Sequence, residues 1–424
     1  MECGAVRGRM LNGSAQVVTG RLTGTMDCEG NEAMRRWAWR AGALLGIGVL
    51  GWTTGCGNFW VYPGSSSSGS GTGSTVNDYV YVANGNTSTP TLAGFAVGSG
   101  TLTAVSGSPY SLGFVPTSVA VNPANSIVFV AGSNGVNGFI NSYSIGSGGA
   151  LTLLVSNNTG SASEVSIAVS PDGQWLLGLD ANGSSISEAI IDLYEINSST
   201  GQLTLGTGTS YTYTGSSIPT VVPRQIKIAP NGDYVFAAVG TAGDLVFPFT
   251  TSSGTFSAPQ VLLLSSSGTS DNALAVNSAS SYLYIARSGT SGGLAVYTIG
   301  SGGSLSEVSG SPLTAGDDPY SVVINTAGTD VYVANQLDST ISGYSISSGG
   351  AVAALSPATY TTISAARMLA VDQSGDYLLA VANGGSPDLS MYSYSSTTAG
   401  ELVFSTSIAT GSDPTYPVAI AATN

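Results

Sequence analysis

Several residue types on which catalytic sites depend are scarce or missing in this chain of 424 residues. It contains no histidine and three cysteines, and only 8% of its residues are charged. Without histidine, a Ser-His-Asp or Cys-His catalytic centre and an ordinary histidine-ligated zinc or iron site are excluded. The sequence also has no EF-hand-like acidic loop and no phosphate-binding Gly-Lys-Ser/Thr run. We therefore predict neither a cofactor nor a metal.

The charge that is present is strongly acidic and unevenly distributed. Six of the ten basic residues and four of the 24 acids precede Cys56, so the remaining chain carries four basic and twenty acidic residues, a net charge of −16. A body of this charge repels nucleic acid and anionic lipid headgroups. We predict no nucleic-acid partner, and contact with a membrane only through an anchor.

An export signal is indicated by "MRRWAWRAGALLGIGVLGWTTGCG", which starts at Met34. Three arginines precede a short apolar run, and small residues follow it. The run is too short to span a bilayer comfortably. We interpret residues 34–55 as a signal peptide and residues 1–33 as a mis-set start or an extension.

The segment "TTGC" resembles the lipobox of bacterial lipoproteins, although Thr53 stands where leucine is usual. This resemblance implies that Cys56 is lipidated and becomes the mature N-terminus, in the periplasm or at the outer membrane surface. The alternative is a plain secretory signal with an incidental cysteine. Cys56 would be the single thiol of the mature chain, so no intramolecular disulfide is possible. Residues 56–77 are rich in glycine and serine, which predicts a flexible tether.

From Asp78 onward, one pattern recurs with a period of roughly 50 residues. The repeated apolar strands are "YVYVAN" at 79, "IVFVAG" at 127, "WLLGLD" at 175, "YVFAAV" at 234, "YLYIAR" at 282, "VYVANQ" at 331 and "YLLAVA" at 377. Each is followed by an alternating strand and a tight turn in which glycine supplies a positive φ. The turn glycines are Gly100, Gly149, Gly201, Gly254, Gly303, Gly350 and Gly400.

The first repeat lacks the leading apolar strand that the others carry before a turn such as "SPDG" or "APNG", yet the chain ends in "YPVAIAATN". Pairing of this last segment with the first unit would supply the missing strand and close a ring. We therefore predict that residues 78–424 form an all-β domain, a seven-bladed β-propeller with four-stranded blades, closed by the C-terminal strand.

The segments "YVAN" at Tyr81 and Tyr332, the Pro-x-Ser-Val leads and the Gly-x-Leu turns resemble the YVTN-type repeats and the lactonase family of seven-bladed propellers. The resemblance extends over nearly all of residues 78–424. It implies the propeller fold and, for some members, hydrolysis of 6-phosphogluconolactone or cycloisomerisation of carboxymuconate. In those enzymes the proposed chemistry lies at one channel mouth and uses His, Glu and Arg, of which this chain lacks the histidine.

Alignment of the leading strands places one residue per blade where the chain begins its innermost strand, at a channel mouth. This mouth column contains Thr117, Val165, Arg224, Asn272, Tyr320, Arg367 and Tyr416. Arginine supplies forked donors and tyrosine a flat apolar face with a hydroxyl, so such a ring can bind a carboxylate, phosphate or sugar. We predict Arg224, Arg367, Tyr320 and Tyr416 as ligand-binding residues.

Three further residues complete the predicted site. Lys227 lies three positions further along and is the single charge among small residues. Arg287 ends its strand on the same side and is a predicted ligand-binding residue, as is Lys227. Glu164 precedes the column by one residue and could act as an acid or base. The alternative is that these basic residues neutralise neighbouring acids around a crowded axis.

Two functions are therefore compatible with the sequence. One is a lipid-anchored, monomeric scaffold that binds an anionic sugar, a glycan or a protein through the mouth or the blade rims. The other is a hydrolase of a sugar lactone in which Arg224 and Arg367 orient the substrate, Lys227 or Arg287 stabilises an oxyanion, and Glu164 or water acts as base.

Overall fold

The computed structural model describes residues 9–12, 16–19, 78–181, 186–215, 217–264, 268–415 and 419–423. In a first unit, Arg9–Asn12 and Gln16–Thr19 form an antiparallel strand pair. The predicted signal peptide, Cys56 and the tether lie outside the described residues. Among the residues that are described, no helix is long and apolar enough to cross a membrane.

The second unit is a seven-bladed β-propeller, which confirms the predicted fold class. Each blade is an antiparallel sheet that begins at the central channel and ends at the rim. From the channel outward, blade 1 contains Ile420–Ala422, Asp78–Asn84, Thr91–Gly98, Thr101–Ala104 and Tyr110–Ser111. Blade 2 contains Val115–Val121, Ile127–Ser133, Gly138–Ile145 and Leu151–Gly160. Blade 3 contains Glu164–Val169, Trp175–Asp180, Glu188–Ile196, Leu203–Leu205 and Thr209–Thr212.

The remaining blades follow the same order. Blade 4 contains Gln225–Ile228, Tyr234–Ala238, Asp244–Thr250, Thr255–Phe256 and Gln260–Leu262, and blade 5 contains Ser270–Val276, Tyr282–Ser288, Gly293–Ile299 and Leu305–Glu307. Blade 6 contains Pro319–Ile324, Asp330–Asn335, Thr340–Ile346 and Val352–Thr361. Blade 7 contains Ala365–Val371, Tyr377–Asn383, Leu389–Tyr394 and Leu402–Ile408. In blades 1, 3 and 4 the outermost strand is split into two short pieces that pair with the same neighbour. Two short 3₁₀ turns, Ser147–Gly149 and Ser301–Gly303, are the helical elements of the described residues.

The innermost strand of blade 1 comes from the end of the chain. Ile420–Ala422 pairs antiparallel with Asp78–Asn84, with Val82 opposite Ile420 and Val80 opposite Ala422. This pairing supplies the strand that the first repeat lacks. The innermost strands of successive blades then contact one another around the whole ring.

The apolar core lies between the blades, because each blade packs its two faces against its neighbours. The second strand of blade 1, Asp78–Asn84, is buried at every residue, and Tyr81, Phe129 and Tyr332 are fully buried. A strand covered on both faces is selected for continuous apolar residues rather than for alternation. Burial of one such side chain contributes about 1.5–3 kcal/mol, so these seams are the main source of stability.

All seven predicted turn glycines adopt a positive φ, which confirms this part of the sequence analysis. Several of them also lie against the preceding blade. At Gly350, φ is +77°, and a Cβ atom there would come within 2.0 Å of the ring of Tyr282 in blade 5. The Tyr282 hydroxyl donates a hydrogen bond of 2.8 Å to the carbonyl of Gly349. The repeated glycine is therefore required both by the turn and by the seam between blades.

Polar side chains join the innermost strands to one another. Each accepts a hydrogen bond from a backbone N–H of the next blade: Ser118 from Ile167 at 3.0 Å, Ser166 from Ile226 at 3.1 Å, Gln225 from Leu274 at 2.7 Å and Ser321 from Leu369 at 3.1 Å. These bonds satisfy buried amide groups that no strand partner reaches. At these four seams they help to fix one blade against the next, and thus the arrangement of the residues beside them at the mouth.

Candidate functional site

The mouth column is a row of β-bulges. In blades 2, 3, 5, 6 and 7 the strand register slips at the column residue, which has no partner on the second strand: these residues are Thr117, Val165, Asn272, Tyr320 and Arg367. In blade 4 the innermost strand begins one residue after Arg224. A bulge turns the unpaired residue out of the alternation of the strand. Column residues are thereby directed away from the blade interiors.

Arg224 and Arg367 converge on the same aromatic ring. The Cζ atom of Arg224 lies 6.0 Å from the ring centroid of Tyr320, and that of Arg367 lies 5.6 Å from it. Both arginines are half-buried, and Tyr320 is buried. Guanidinium groups at this distance are attracted to the ring face, which holds them in position. The structure therefore brings together three of the predicted ligand-binding residues, which belong to blades 4, 6 and 7.

Arg224 retains unused hydrogen-bonding capacity in this arrangement. Its Nε atom is buried and has no hydrogen-bond partner among the described residues. The backbone N–H of the same residue donates to the carbonyl of Ala238 at 3.0 Å, so the main chain is anchored while the side chain keeps a free donor. A buried donor without a partner calls for an explanation, and a bound acceptor provides one.

A carboxyl group that the sequence analysis missed lies beside these arginines. Burial raises the pKa of Asp318. The positive charges of Arg224 and Arg367 act to lower this pKa, whereas the negative charge of Asp317 acts to raise it. Asp318 has a left-handed backbone with φ of 56°, and its carbonyl accepts a hydrogen bond of 3.0 Å from the N–H of Gln336. The available signal was "GDDPY", in which two acids precede the proline that leads into Tyr320.

Lys227 lies on the innermost strand of blade 4, opposite Phe236 in the register. Its side chain is accessible, whereas the equivalent residues of the other blades are small and half-buried or buried: Ala120, Ala168, Ala275, Val323, Ala370 and Ala419. Enclosure by the surrounding protein lowers the pKa of Lys227 through desolvation. A third cation is thus available, further along the innermost strand of blade 4 than Arg224.

Arg287 has a different environment from the one that the sequence predicted. Its Nε donates to Asp271 Oδ1 at 2.6 Å, its Nη2 donates to Asp271 Oδ2 at 2.8 Å, and its guanidinium lies 5.9 Å from the ring of Tyr297. Arg287 is 8% exposed and Asp271 is fully buried. The fork formed by Nε and Nη2 is therefore occupied by a carboxylate within blade 5, which agrees with the alternative that a basic residue neutralises a neighbouring acid.

Glu164 is likewise directed into its own blade. It is 1% exposed, and its Oε1 accepts a hydrogen bond of 2.9 Å from the Tyr194 hydroxyl. Burial and, after it, the neighbouring Asp192 raise the pKa of Glu164 well above its usual range, and Asp180 adds to the rise. Only its backbone reaches the column, where its carbonyl accepts a hydrogen bond from the Thr117 hydroxyl.

The last predicted ligand-binding residue, Tyr416, lies outside the described residues. Its neighbour Thr415 donates a hydrogen bond of 2.5 Å to the carbonyl of Pro116, which joins this segment to blade 2. Within the described part of the chain, no cluster of three or more His, Cys, Asp or Glu side chains could hold a metal ion. Among the described residues, the candidate site therefore comprises two guanidinium groups, one tyrosine ring, one carboxyl group and one amine.

The chain is similar to solved structures, although no family model and no curated protein sequence matches it. A proposed 6-phosphogluconolactonase from Bacteroides uniformis is 16% identical, with a TM-score of 0.66 over 82% of this chain and 99% of that one. A second, from Bacteroides fragilis, is 15% identical, with a TM-score of 0.63 over 83% and 99%. A periplasmic gluconolactonase from Pseudomonas aeruginosa is 14% identical, with a TM-score of 0.60 over 82% and 99%. At these identities the likeness shows the fold.

Proposed function

We propose that this protein is an exported, lipid-anchored propeller that binds an anionic ligand at the mouth of its channel. The observation that carries the proposal is the convergence of Arg224 and Arg367 on the ring of Tyr320. The chain after Cys56 has four basic residues against twenty acids. Placement of two of those four against one ring concentrates positive charge at a single point of an acidic body.

The ligand class follows from the groups present. Two guanidinium forks match a carboxylate or a phosphate, and the tyrosine ring provides a flat face for a sugar ring or an aliphatic chain. Lys227, further along the channel, would receive a second acceptor group. An anionic sugar such as a sugar acid satisfies all three contacts.

Titration calorimetry of the full-length chain with gluconate and 6-phosphogluconate tests this proposal. Binding that Arg224→Gln/Arg367→Gln weakens by at least about tenfold is the expected result. Thr103→Glu/Thr152→Glu is the matched control, because both threonines are exposed on outermost strands and the change lowers the net charge by the same amount. Equal weakening by the control, or no binding by the unmodified chain, would overturn the proposal.

Lactone hydrolysis is a second candidate function, and Asp318 is the observation that favours it. In this reaction water adds to the lactone carbonyl, the ring C–O bond breaks, and a proton passes to the departing ring oxygen. Asp318 lies within the electrostatic reach of both arginines, so it is placed to accept the proton of water while they hold the substrate anion. Similar structures include proposed and periplasmic lactonases.

Glu164 and Arg287, which the sequence offered for this reaction, are engaged inside blades 3 and 5. Asp318 and Lys227 are therefore the better candidates for base and oxyanion stabilisation. Release of acid from 6-phosphogluconolactone, measured above the spontaneous rate, should be lost in Asp318→Asn while gluconate binding is retained. Hydrolysis no faster than the spontaneous rate would exclude this function and leave anion binding standing.

Export and anchoring rest on the arginine-led apolar segment and the cysteine after "TTG". Expression in a Gram-negative host with labelled palmitate should label the chain and should fail to label Cys56→Ala. An exported but unlabelled chain would favour the plain secretory signal instead.

A further inference from the structure

Among the described residues, the exposed large aliphatic side chains that lie on loops are confined to one of the two faces of the propeller. The mouth face is defined here as the side on which the innermost strands begin, and the turn face as the opposite side. In an antiparallel blade, the loops between second and third strands and the connections between blades lie on the mouth face. Six exposed aliphatics belong to these segments: Val136, Ile186, Ile218, Leu263, Leu337 and Ile363.

The turn face differs sharply from this. Its described turns carry glycine, serine, asparagine and aspartate, and none of them contains an exposed large apolar side chain. The other exposed large apolar residues of the described chain lie on outermost strands at the rim: Leu153, Leu154, Leu205, Val403 and Phe404. Exposure on the mouth face ranges from 47% at Ile363 to 81% at Val136. Loops have no packing reason to carry such residues, so their segregation to one side indicates an interaction surface.

Backbone hydrogen bonds join the segments that carry four of these aliphatics, which we group on this basis into two pairs. The Val221 N–H donates to the carbonyl of Ile186 at 2.8 Å, which joins the loop of Ile186 to the segment of Ile218. The Thr362 N–H donates to the carbonyl of Ser339 at 2.9 Å, which joins the loop of Leu337 to the segment of Ile363. The surface is thus fixed by main-chain bonds.

The two pairs flank the charged centre of the mouth. Ile218 lies in the connection that leads to Arg224, and Ile363 lies in the one that leads to Arg367. Leu337 follows Gln336, whose N–H donates to the carbonyl of Asp318. Each pair thus belongs to a segment that leads directly to one of the two cations, a combination that complements an acid flanked by aliphatic groups.

We propose that the mouth face binds a peptide segment of another protein, in which an acidic side chain contacts Arg224 and Arg367 and flanking aliphatic side chains pack on the two pairs. This inference rests on the proposed anion binding and adds the class of partner. The six aliphatics come from loops and connections of blades 2 to 7, a spread wider than a small molecule covers and suited to a polypeptide. Arginine and a central aromatic ring are also the residues that most often carry binding energy in protein interfaces.

Selection from a random heptapeptide display library tests the proposal. The bait is the full-length chain with Cys56→Ala, so that no lipid is attached. Enriched peptides should carry an acid flanked by aliphatic residues. Fluorescence anisotropy with one enriched peptide should then show weakening of at least about tenfold in Ile186→Ser/Ile218→Ser, in Leu337→Ser/Ile363→Ser and in Arg224→Gln/Arg367→Gln. Substitution of glutamine for the acid in the peptide should weaken binding to a similar degree.

The matched control is Leu153→Ser/Leu205→Ser, which removes two equally exposed leucines from the rim and should leave peptide affinity unchanged. Enrichment of unrelated sequences, or affinity that the mouth-face variants leave unchanged, would overturn the inference. If gluconate still binds in that case, the proposed anion site stands and only the peptide partner is excluded. Co-sedimentation with phosphatidylcholine vesicles that depends on the same aliphatics, without peptide enrichment, would replace the peptide by a membrane surface.

Discussion

Blades 3 and 5 place a buried acid at the same position of the repeat but give it different surroundings. The neighbours of the acid are negatively charged in blade 3 and include a positive charge in blade 5. Glu164 and Asp271 each precede their column residue by one, and both are buried. The residue opposite Asp271 in the strand register is Arg287, which pairs with it through Nε and Nη2. The residue opposite Glu164 is Asp180, and Asp192 approaches from the third strand. One repeat position thus accommodates either an ion pair or a group of acids.

The difference shows how a degenerate repeat tolerates a buried charge. A charge in the interior must be paired or neutralised, because its transfer from water is costly. Blade 5 pairs it with a guanidinium. Blade 3 raises the pKa of Glu164 instead, which favours the neutral form and makes the blade sensitive to pH.

The largest effect is expected from breaking the ion pair of blade 5. Arg287→Gln leaves Asp271 buried without its cation, close to Asp244, whose pKa is already raised by burial and by Asp271. Unfolding in urea should show a loss of about 3–5 kcal/mol. The double variant Asp271→Asn/Arg287→Gln removes both charges and should recover most of this loss. A single variant that unfolds within about 1 kcal/mol of the unmodified chain would contradict the assignment.

Neutralisation of Glu164, the buried acid in blade 3, should stabilise the protein, whereas loss of the cation in blade 5 destabilises it. The folded-state pKa of Glu164 lies above its ordinary value of 4.5, so the folded protein holds the extra proton. Stability therefore falls as pH rises from about 4.5, by up to ~1.4 kcal/mol per pH unit for one titrating group. Glu164→Gln retains an acceptor for Tyr194 and should flatten this dependence and raise stability at neutral pH. Thermal unfolding of both proteins from pH 4 to 8 checks this. The same dependence of stability on pH in Glu164→Gln as in the unmodified chain would contradict the prediction that burial of the Glu164 charge is costly.

Introduction into blade 3 of an ion pair like that of blade 5 should increase stability by a smaller amount. Asp180→Arg places a guanidinium opposite Glu164, as Arg287 stands opposite Asp271. Stability at neutral pH should rise by about 1 kcal/mol, because Asp180 is half-exposed and the pair is partly screened. Asp180→Asn separates removal of the acid from addition of the cation. An arginine variant no more stable than the asparagine variant would show that no pair forms.

The arginines of the mouth should matter least to stability. Arg224→Gln/Arg367→Gln removes the contacts of two half-buried guanidinium groups with the ring of Tyr320. The free energy of unfolding should fall by less than about 1 kcal/mol. The same change should weaken anion binding by at least about tenfold, so its effect on affinity is larger than its effect on folding. A loss comparable to that of Arg287→Gln would assign these arginines to the structure instead of to a ligand.

Positions at which the backbone dictates the residue type could be predicted from the sequence. Turn glycines such as Gly100 and Gly400 repeat because only a residue without a side chain adopts their φ easily. Column residues such as Arg224 and Arg367 could be placed because the strand start recurs once per blade. Glu164 and Arg287 show the limit of this alignment, because it positions the main chain and leaves the direction of the side chain open. A bulge at the column residue leaves its neighbour Glu164 pointing into the blade.

By itself, the sequence determined the number of blades, the turns, the strand that completes the first blade, and the acidic balance of the chain, since each of these is written in local pattern or composition. Which side chains meet depends on the three-dimensional arrangement: Arg287 with Asp271, Glu164 with Tyr194, and both Arg224 and Arg367 with the ring of Tyr320. These contacts join residues from different strands and blades. Their geometry depends on bulges and blade rotation, which no local pattern in the chain encodes.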